Sequence, residues 1–242
     1  MVYMHIGKDF TPPDVHGKVT GKAKYAEDFR VDGMLYARLL TSPVPHARIQ
    51  SLDLSKALQM EGVIAILTAD DVPAMPNLSN PILTNEPAYV GDPILAVAAV
   101  DEQTAEDAIE AINFSFEPLP FTVDPISSLQ PDGLHARTQG NVGNSTMRDE
   151  VRSMHWSEQE IQAINNNEMP EGEAAREWTV GDLDAGFAEA AYVVSESFVT
   201  ASHSHHSMEP RSALAYWENG KCFLHGSSQS QSFPVPALAG YI

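Results

Sequence analysis

Ile94-Leu95-Ala96-Val97-Ala98-Ala99-Val100, continued by Asp101 to Ile112 and then Phe114-Ser115-Phe116, is the stretch on which the fold turns. The apolar run is bounded by Gly91-Asp92-Pro93, and its length and flanks are those of a buried strand rather than a helix. From Asp101 the period changes. Ala105, Ala108, Ile109 and Ile112 recur at i, i+3, i+4 and i+7, and Glu106, Asp107 and Glu110 fall elsewhere on the wheel, so an amphipathic helix is predicted. Phe114 and Phe116 alternate with Ser115 as a third element, stopped by Pro118 and Pro120.

Toward the N-terminus the pattern repeats in a shorter form. Leu35 to Leu40 reads as a strand, broken by Ser42-Pro43-Val44-Pro45, and Ile49 to Leu52 as a second. Ser55 to Met60 is a short helix ended by Gly62, Val63 to Leu67 a fully apolar strand, and Thr68 the cap of a single turn holding Asp70 and Asp71. A Pro/Asn-rich loop covers 73–87. Strand, helix, strand, twice over, describes a compact α+β domain.

Toward the C-terminus, residues 141–177 are rich in Asn, Glu and Gln and poor in aliphatics. They read as a linker or surface excursion, although Ser157 and Glu160 form a capping-box pattern for a helix over 157–165. A second segment opens near Trp178, with a helix over Asp182 to Ala191, a strand over Tyr192 to Thr200, and a hairpin. The hairpin pairs Ser212–Trp217 with Lys221–Gly226 around Glu218-Asn219-Gly220. The apolar run begun at Ala237 stops at Ile242, so this second domain reads as incomplete.

The 242 residues carry 14 Lys and Arg against 33 Asp and Glu, a net charge of -19. That balance excludes a basic nucleic-acid footprint and docking on an anionic membrane, and suits basic partners. The single Cys222 can neither close an internal disulfide nor hold an iron–sulfur cluster, which takes four thiolates. The N-terminus has no secretory h-region, and the run 94–100 falls far short of the ~20 residues of a membrane span. A cytoplasmic protein is expected, or a periplasmic one exported together with a partner. Walker A, Gly-x-Gly-x-x-Gly, Gly-x-Ser-x-Gly and Cys-x-x-Cys patterns are absent.

Chemistry-bearing residues concentrate in Ser202-His203-Ser204-His205-His206-Ser207-Met208-Glu209-Pro210-Arg211. If the preceding strand continues, His203 and His205 share a face. Three readings stay open for them: a polar strand end bonded to loops and water, a zinc-binding pair completed by Glu209 or a distant His, or a cofactor or substrate contact. His5, His16, His46, His135, His155 and His225 are isolated, which suits surface or core positions better than ligands.

Five stretches, in order, resemble the molybdenum-binding large subunits of the xanthine dehydrogenase/aldehyde oxidase family. They are Gly17-Lys18-Val19-Thr20-Gly21-Lys22-Ala23-Lys24-Tyr25-Ala26-Glu27-Asp28, Ser42-Pro43-Val44-Pro45-His46-Ala47-Arg48-Ile49, Tyr89-Val90-Gly91-Asp92-Pro93, Trp178-Thr179-Val180-Gly181-Asp182, and His205-His206-Ser207-Met208-Glu209-Pro210-Arg211. The resemblance implies an α/β hammerhead domain over 17–125, a linker or insertion over 126–177, and over 178–242 the start of an incomplete α+β molybdenum-cofactor-binding domain. It implies a molybdopterin cofactor with molybdenum, in the cytosine dinucleotide form for a bacterial source. It also implies hydroxylation of an aldehyde or N-heterocycle with oxygen derived from water.

Within the chain, the residues the resemblance turns toward the cofactor are His203, His205, Glu209 and Gln229. His203 stands where many members have Gln. The family's Gly-Gly-x-Phe-Gly-Gly loop and catalytic Glu are expected beyond residue 242, so this chain alone is expected to be inactive. Electrons would leave to an iron–sulfur small subunit and a flavin (FAD) subunit. Two readings compete with this one: a non-catalytic α+β subunit-interaction module, and a zinc hydrolase built on His203 and His205.

Overall fold

The structure is a computed structural model describing residues 6–73, 81–135, 140–143, 151–166, 168, 178–194, 200, 204–228, 235 and 238–239. The chain divides into two compact units, Met1–Met34 with Ser204–Ile242, and Leu35–His203. In chain order the elements are α1 (Val15–Val19), β1 (Tyr36–Thr41), β2 (Ala47–Asp53), α2 (Ser55–Leu58), β3 (Val63–Thr68), β4 (Pro93–Ala99), α3 (Glu102–Ala111) and β5 (Asn113–Pro118). They continue with α4 (Pro125–Ser128), β6 (Val142–Gly143), β7 (Val151–Arg152), α5 (Glu158–Asn165), α6 (Leu183–Glu189), β8 (Ala213–Glu218) and β9 (Lys221–Gly226).

In the unit 35–203 the predicted buried strand is β4, the centre of an antiparallel sheet ordered β1-β4-β3. Ile94, Leu95, Val97 and Ala99 are wholly buried. Residues paired across an antiparallel ladder share a face. Leu95, paired with Leu40, and Val97, paired with Ile66, thus look with Ala99 toward the core, where Ala105 and Ala108 of α3, Ala57 of α2 and Ile112 close it. The opposite face, with Leu39, Ala96 and Leu67 in one row, is left open, and Leu39 and Leu67 are each 50% exposed. The fully apolar stretch 63–67 is therefore an edge strand with one uncovered face. Ile64, 58% exposed, lies where the register shifts between Val63 and Ala65. β2 and β5 form a separate two-stranded antiparallel sheet.

Local signals explain the ends of these elements. Asp101 caps α3 by accepting the Thr104 N–H at 2.7 Å. Gly62 carries φ +89°, and a Cβ there would meet Val100 Cγ2 at 2.8 Å, so the turn into β3 tolerates glycine alone. Thr68 and Asp71 make the expected cap of a single 3-10 turn, Asp71 accepting from both the Thr68 N–H and its hydroxyl at 2.8 Å.

The caps predict an acid-side effect. Thr104 N–H and hydroxyl hold the Asp101 carboxyl below the usual carboxylate range, and the corresponding groups of Thr68 and Ser157 do the same for Asp71 and Glu160. A depressed folded value favours the ionised folded state. Its contribution is therefore present above the unfolded carboxylate pKa, about 4, and is lost as pH falls through the lower folded value. Asn at position 101 can still cap but does not titrate. The stability difference between wild type and Asp101→Asn, followed by urea denaturation, is expected to shrink from about pH 5 toward about pH 3. A difference constant over that range would contradict the effect.

The stretch read as a linker carries ordered packing. Asn141 donates through Nδ2 to Ser128 O, Ser128 Oγ and Met154 O, and its Oδ1 accepts the Met154 N–H at 2.9 Å. Trp156 N–H donates to Leu129 O at 2.7 Å, and the indole is buried. The capping box anticipated for α5 is present, Ser157 and Glu160 exchanging backbone and side-chain bonds. Composition misses such a knot because one Asn and one Trp organise it. α6 is three residues shorter than the predicted helix 182–191, and its side chains are exposed. Most of the strand anticipated over 192–200 lies outside the described residues.

In the other unit β8 and β9 pair from Ala213↔Gly226 to Glu218↔Lys221, with Asn219 (φ 51°) and Gly220 (φ 73°) in the left-handed region. Two consecutive positive φ values define the type I′ turn that Asn-Gly announces. One hairpin face carries Leu214, Tyr216, Phe223 and His225, and the other presents Trp217, 62% exposed, and Leu224.

Candidate functional site

The histidine stretch enters the described structure at Ser204, so His203 lies outside the described residues, as does Gln229. His205 and Glu209 lie within them. His205 and His206 are exposed, His206 with φ 45°, and the backbone over 204–207 has no strand geometry. Among the described residues no three His, Cys, Asp or Glu side chains gather in a way that could hold a metal ion.

What organises the stretch is Glu209. Its Oε1 accepts a long bond, 3.4 Å, from the Ala26 N–H. Ala26 is buried and begins a 3-10 turn, Ala26–Asp28, whose Asp28 carboxylate accepts the Tyr25 N–H at 2.9 Å. The first and fifth of the resembling stretches, 183 residues apart, therefore meet in space. The hairpin extends the contact. Phe29 stacks on His225 with ring centroids 4.4 Å apart, and His225 lies 5.9 Å from the Tyr216 ring, which stacks on Phe223 at 5.2 Å. Lys24 Nζ stands 6.0 Å from the Phe29 centroid.

Beside Glu209 opens a small cleft of about 150 Å³ lined by Ser207, Glu209, Arg211, Ser227 and Ser228. Its lining mixes apolar surface with the hydroxyls of three serines, a guanidinium and one carboxylate. Ser227 Oγ donates a long bond, 3.4 Å, to Pro210 O, and Ser227 N–H donates to Ser212 O. The Ser212 hydroxyl is buried without a hydrogen-bond partner among the described residues. The donor set can bind polar edges and anionic oxygens. It contains no thiolate or imidazole cluster that would seize a bare metal.

The second and third resembling stretches also meet, within the unit 35–203. Ser42 N–H donates to Asp92 O at 2.9 Å, Gly91 N–H donates back to Ser42 O at 2.8 Å, and Asp92 Oδ2 accepts the Ala88 N–H. His46 is buried and donates through Nδ1 to Pro120 O at 2.8 Å, while Arg48 pairs with Glu86 at 3.0 Å. His46 is thus a core histidine, and these two stretches brace the hammerhead-like unit rather than face a ligand. His135 and His155, isolated in sequence, stack at 5.3 Å, with His135 bonded to Ser153 Oγ and His155 to Gly133 O. The signal missed in the sequence is Ala26. No side-chain chemistry marks it, and only the fold shows that its amide is the partner of Glu209.

Comparison with known proteins agrees with this geometry. A profile described as aldehyde oxidase and xanthine dehydrogenase, a/b hammerhead domain, matches residues 20–120, and one described as molybdopterin cofactor-binding domain matches 165–240. The nicotinate dehydrogenase large molybdopterin subunit of Eubacterium barkeri is 30% identical over 99% of this chain and 51% of its own length. The carbon monoxide dehydrogenase large chain of Afipia carboxidovorans is 32% identical over 74% of this chain and 21% of its own length. Among solved structures, quinoline 2-oxidoreductase from Pseudomonas putida 86 superposes with a TM-score of 0.63 at 25% identity, covering 98% of this chain and 28% of that one. The chain thus spans about half, or less, of the length of the proteins it resembles.

Proposed function

Because the chain belongs to the xanthine dehydrogenase/aldehyde oxidase family of molybdopterin-binding large subunits, we propose that it is the N-terminal portion of a molybdenum hydroxylase, an oxidoreductase that hydroxylates an aldehyde or N-heterocycle with water-derived oxygen. The observation that carries the reading is the succession, in one chain, of a hammerhead profile and a molybdopterin-binding profile. The proposed division is the hammerhead over 17–125, a connecting stretch over 126–177 and the beginning of the cofactor-binding domain over 178–242.

The cleft beside Glu209 fits one edge of such a cofactor, since hydroxyls, a guanidinium and a carboxylate match the hydrogen-bonding edges of a pterin and its phosphate. When bound, the molybdopterin group supplies the redox chemistry of the reaction, and the protein supplies binding and orientation. In this reading His203, His205, Glu209 and Gln229 face the cofactor. Glu209 holds the approach in shape through the Ala26 N–H, and the exposed His205 imidazole is free to turn a nitrogen toward the ligand. The cytosine dinucleotide form of the cofactor, an iron–sulfur small subunit and an FAD subunit as electron carriers, and a cytoplasmic location complete the proposal.

The test is metal analysis of the full-length protein purified with its partner subunits. Stoichiometric molybdenum, together with oxidation of an aldehyde or N-heterocycle by an artificial electron acceptor, is expected. Full-length protein that is folded, complexed and free of molybdenum would remove the reading.

A further inference from the structure

We infer that Asn219, at the tip of the β8/β9 hairpin, is a site of spontaneous covalent modification, where deamidation to isoaspartate undoes the turn. The inference is independent of the cofactor reading, and its only co-reactant is water.

Asn219 alone among the asparagines of the chain is followed by glycine. The pair forms the type I′ turn, with φ 51° at Asn219 and 73° at Gly220, and both residues are exposed. The last rung of the ladder is Glu218↔Lys221, so neither turn residue takes part in strand pairing. Neither the Asn219 side chain nor the Gly220 N–H has a hydrogen-bond partner among the described residues. A Cβ built on Gly220 would meet nothing within 4 Å, so open space surrounds the amide that has to move. Other asparagines are held differently. Asn85 gives its amide to Asp70, Asn141 gives its amide to three acceptors, and Glu86 and Val142 follow them with side chains beside the backbone nitrogen. Glycine, with no Cβ, hinders attack by that nitrogen least.

The step balances without an oxidant or a reductant. The Gly220 backbone nitrogen attacks Asn219 Cγ, an N–Cγ bond forms and the Cγ–Nδ2 bond breaks. Nδ2 leaves as ammonia, carrying the proton of the Gly220 amide, and a five-membered cyclic imide remains. Water then opens one of its two carbonyls. Opening at Cγ leaves an ordinary aspartate at position 219. Opening at the α-carbonyl leaves isoaspartate, with the main chain rerouted through Cβ and Cγ.

The rerouting adds a methylene to the main chain between Glu218 and Lys221, where a type I′ turn sets two residues of fixed twist. That rung opens, and the loosening runs inward toward Tyr216 and Phe223, whose rings stack at 5.2 Å two rungs away. Ordinary aspartate has no such effect, since Asp-Gly forms the same turn.

The test is incubation of the full chain in mildly alkaline buffer, followed by tryptic digestion and mass spectrometry. Cleavage after Arg211 and Lys221 releases Ser212–Lys221, in which Asn219 is the only asparagine. This peptide is expected to gain the mass of an oxygen-for-NH exchange before any other asparagine-bearing peptide, with isoaspartate as the main product. The native amide resonances of Trp217 to Cys222 are expected to fade in proportion. Asn219→Gln, which would have to close a less favoured six-membered ring, is expected to abolish the gain. Freshly purified Asn219→Asp is expected to keep the native hairpin resonances, which separates the effect of a rerouted backbone from that of an added charge. The inference is overturned by a 212–221 peptide that changes no sooner than the others, by a modified chain whose hairpin resonances stay native, or by an Asn219→Asp hairpin that is already open.

Discussion

Val97→Asp is expected to unfold the unit 35–203. Val97 is wholly buried in the central strand β4, paired with Arg38 on β1 and Ile66 on β3, and faces the layer formed by Ala105 and Ala108. A carboxylate there is cut off from solvent, the cation across the ladder, Arg38, is already paired with Glu102 and Glu106, and the valine packing is lost as well. Together these cost on the order of 4 kcal/mol or more. For a unit of this size each kcal/mol lowers the midpoint by roughly 2–4 °C, so a fall of about 8–16 °C is expected in circular-dichroism melting, with complete unfolding at the upper end. Leu39→Asp is the matched control. Leu39 pairs with the neighbouring residue, Ala96, and therefore lies on the open face, so its cost is expected to stay within about 1 kcal/mol. Equal melting of the two variants would show that the covered face of the sheet has been misassigned.

Asn141→Ala is expected to dissolve the knot between α4 and α5 while leaving the sheet intact. One side chain there serves Ser128 O, Ser128 Oγ, Met154 O and Met154 N. Methyl replacement strands these partly buried groups, at about 1–3 kcal/mol for each that water does not reach. The readouts are local. Hydrogen exchange at Met154 and Trp156 should accelerate by at least about tenfold, since every 1.4 kcal/mol is a factor of ten. Tryptophan emission should move to the red, because Trp156 is buried whereas Trp178 and Trp217 are exposed. Unchanged exchange at both amides would mean that Asn141 does not hold the knot.

How much of this was legible beforehand varies with the range of the interaction. The α3 periodicity and the β4 run located the hammerhead-like core to within a residue or two, and Asp101, Thr68 and Ser157 marked turns and helix starts that the structure places there. The Asn219-Gly220 hairpin is likewise a local event. The candidate site was legible only as a dense stretch, 202–211. Glu209 stood out, but its partner Ala26 carries no functional group that could have singled it out, and the three hydroxyls beside Arg211 come from stretches separated by a hairpin. Residues 141–166 looked like a linker because a knot built on Asn141 and Trp156 needs few aliphatics.

By itself the sequence determined the elements whose hydrogen bonds close within a few residues: the capped helices, the type I′ turn and the buried character of 94–99. Those bonds depend on side chains that are neighbours along the chain. Only the tertiary structure decided that β4 lies between β1 and β3, that Leu39 faces outward while Leu40 faces the core, and that the Ala26 amide meets Glu209. More than one strand offers an apolar face, β1, β3 and β4 among them, and their pairing is settled by which arrangement covers the most apolar surface under α3. No local pattern encodes that global quantity.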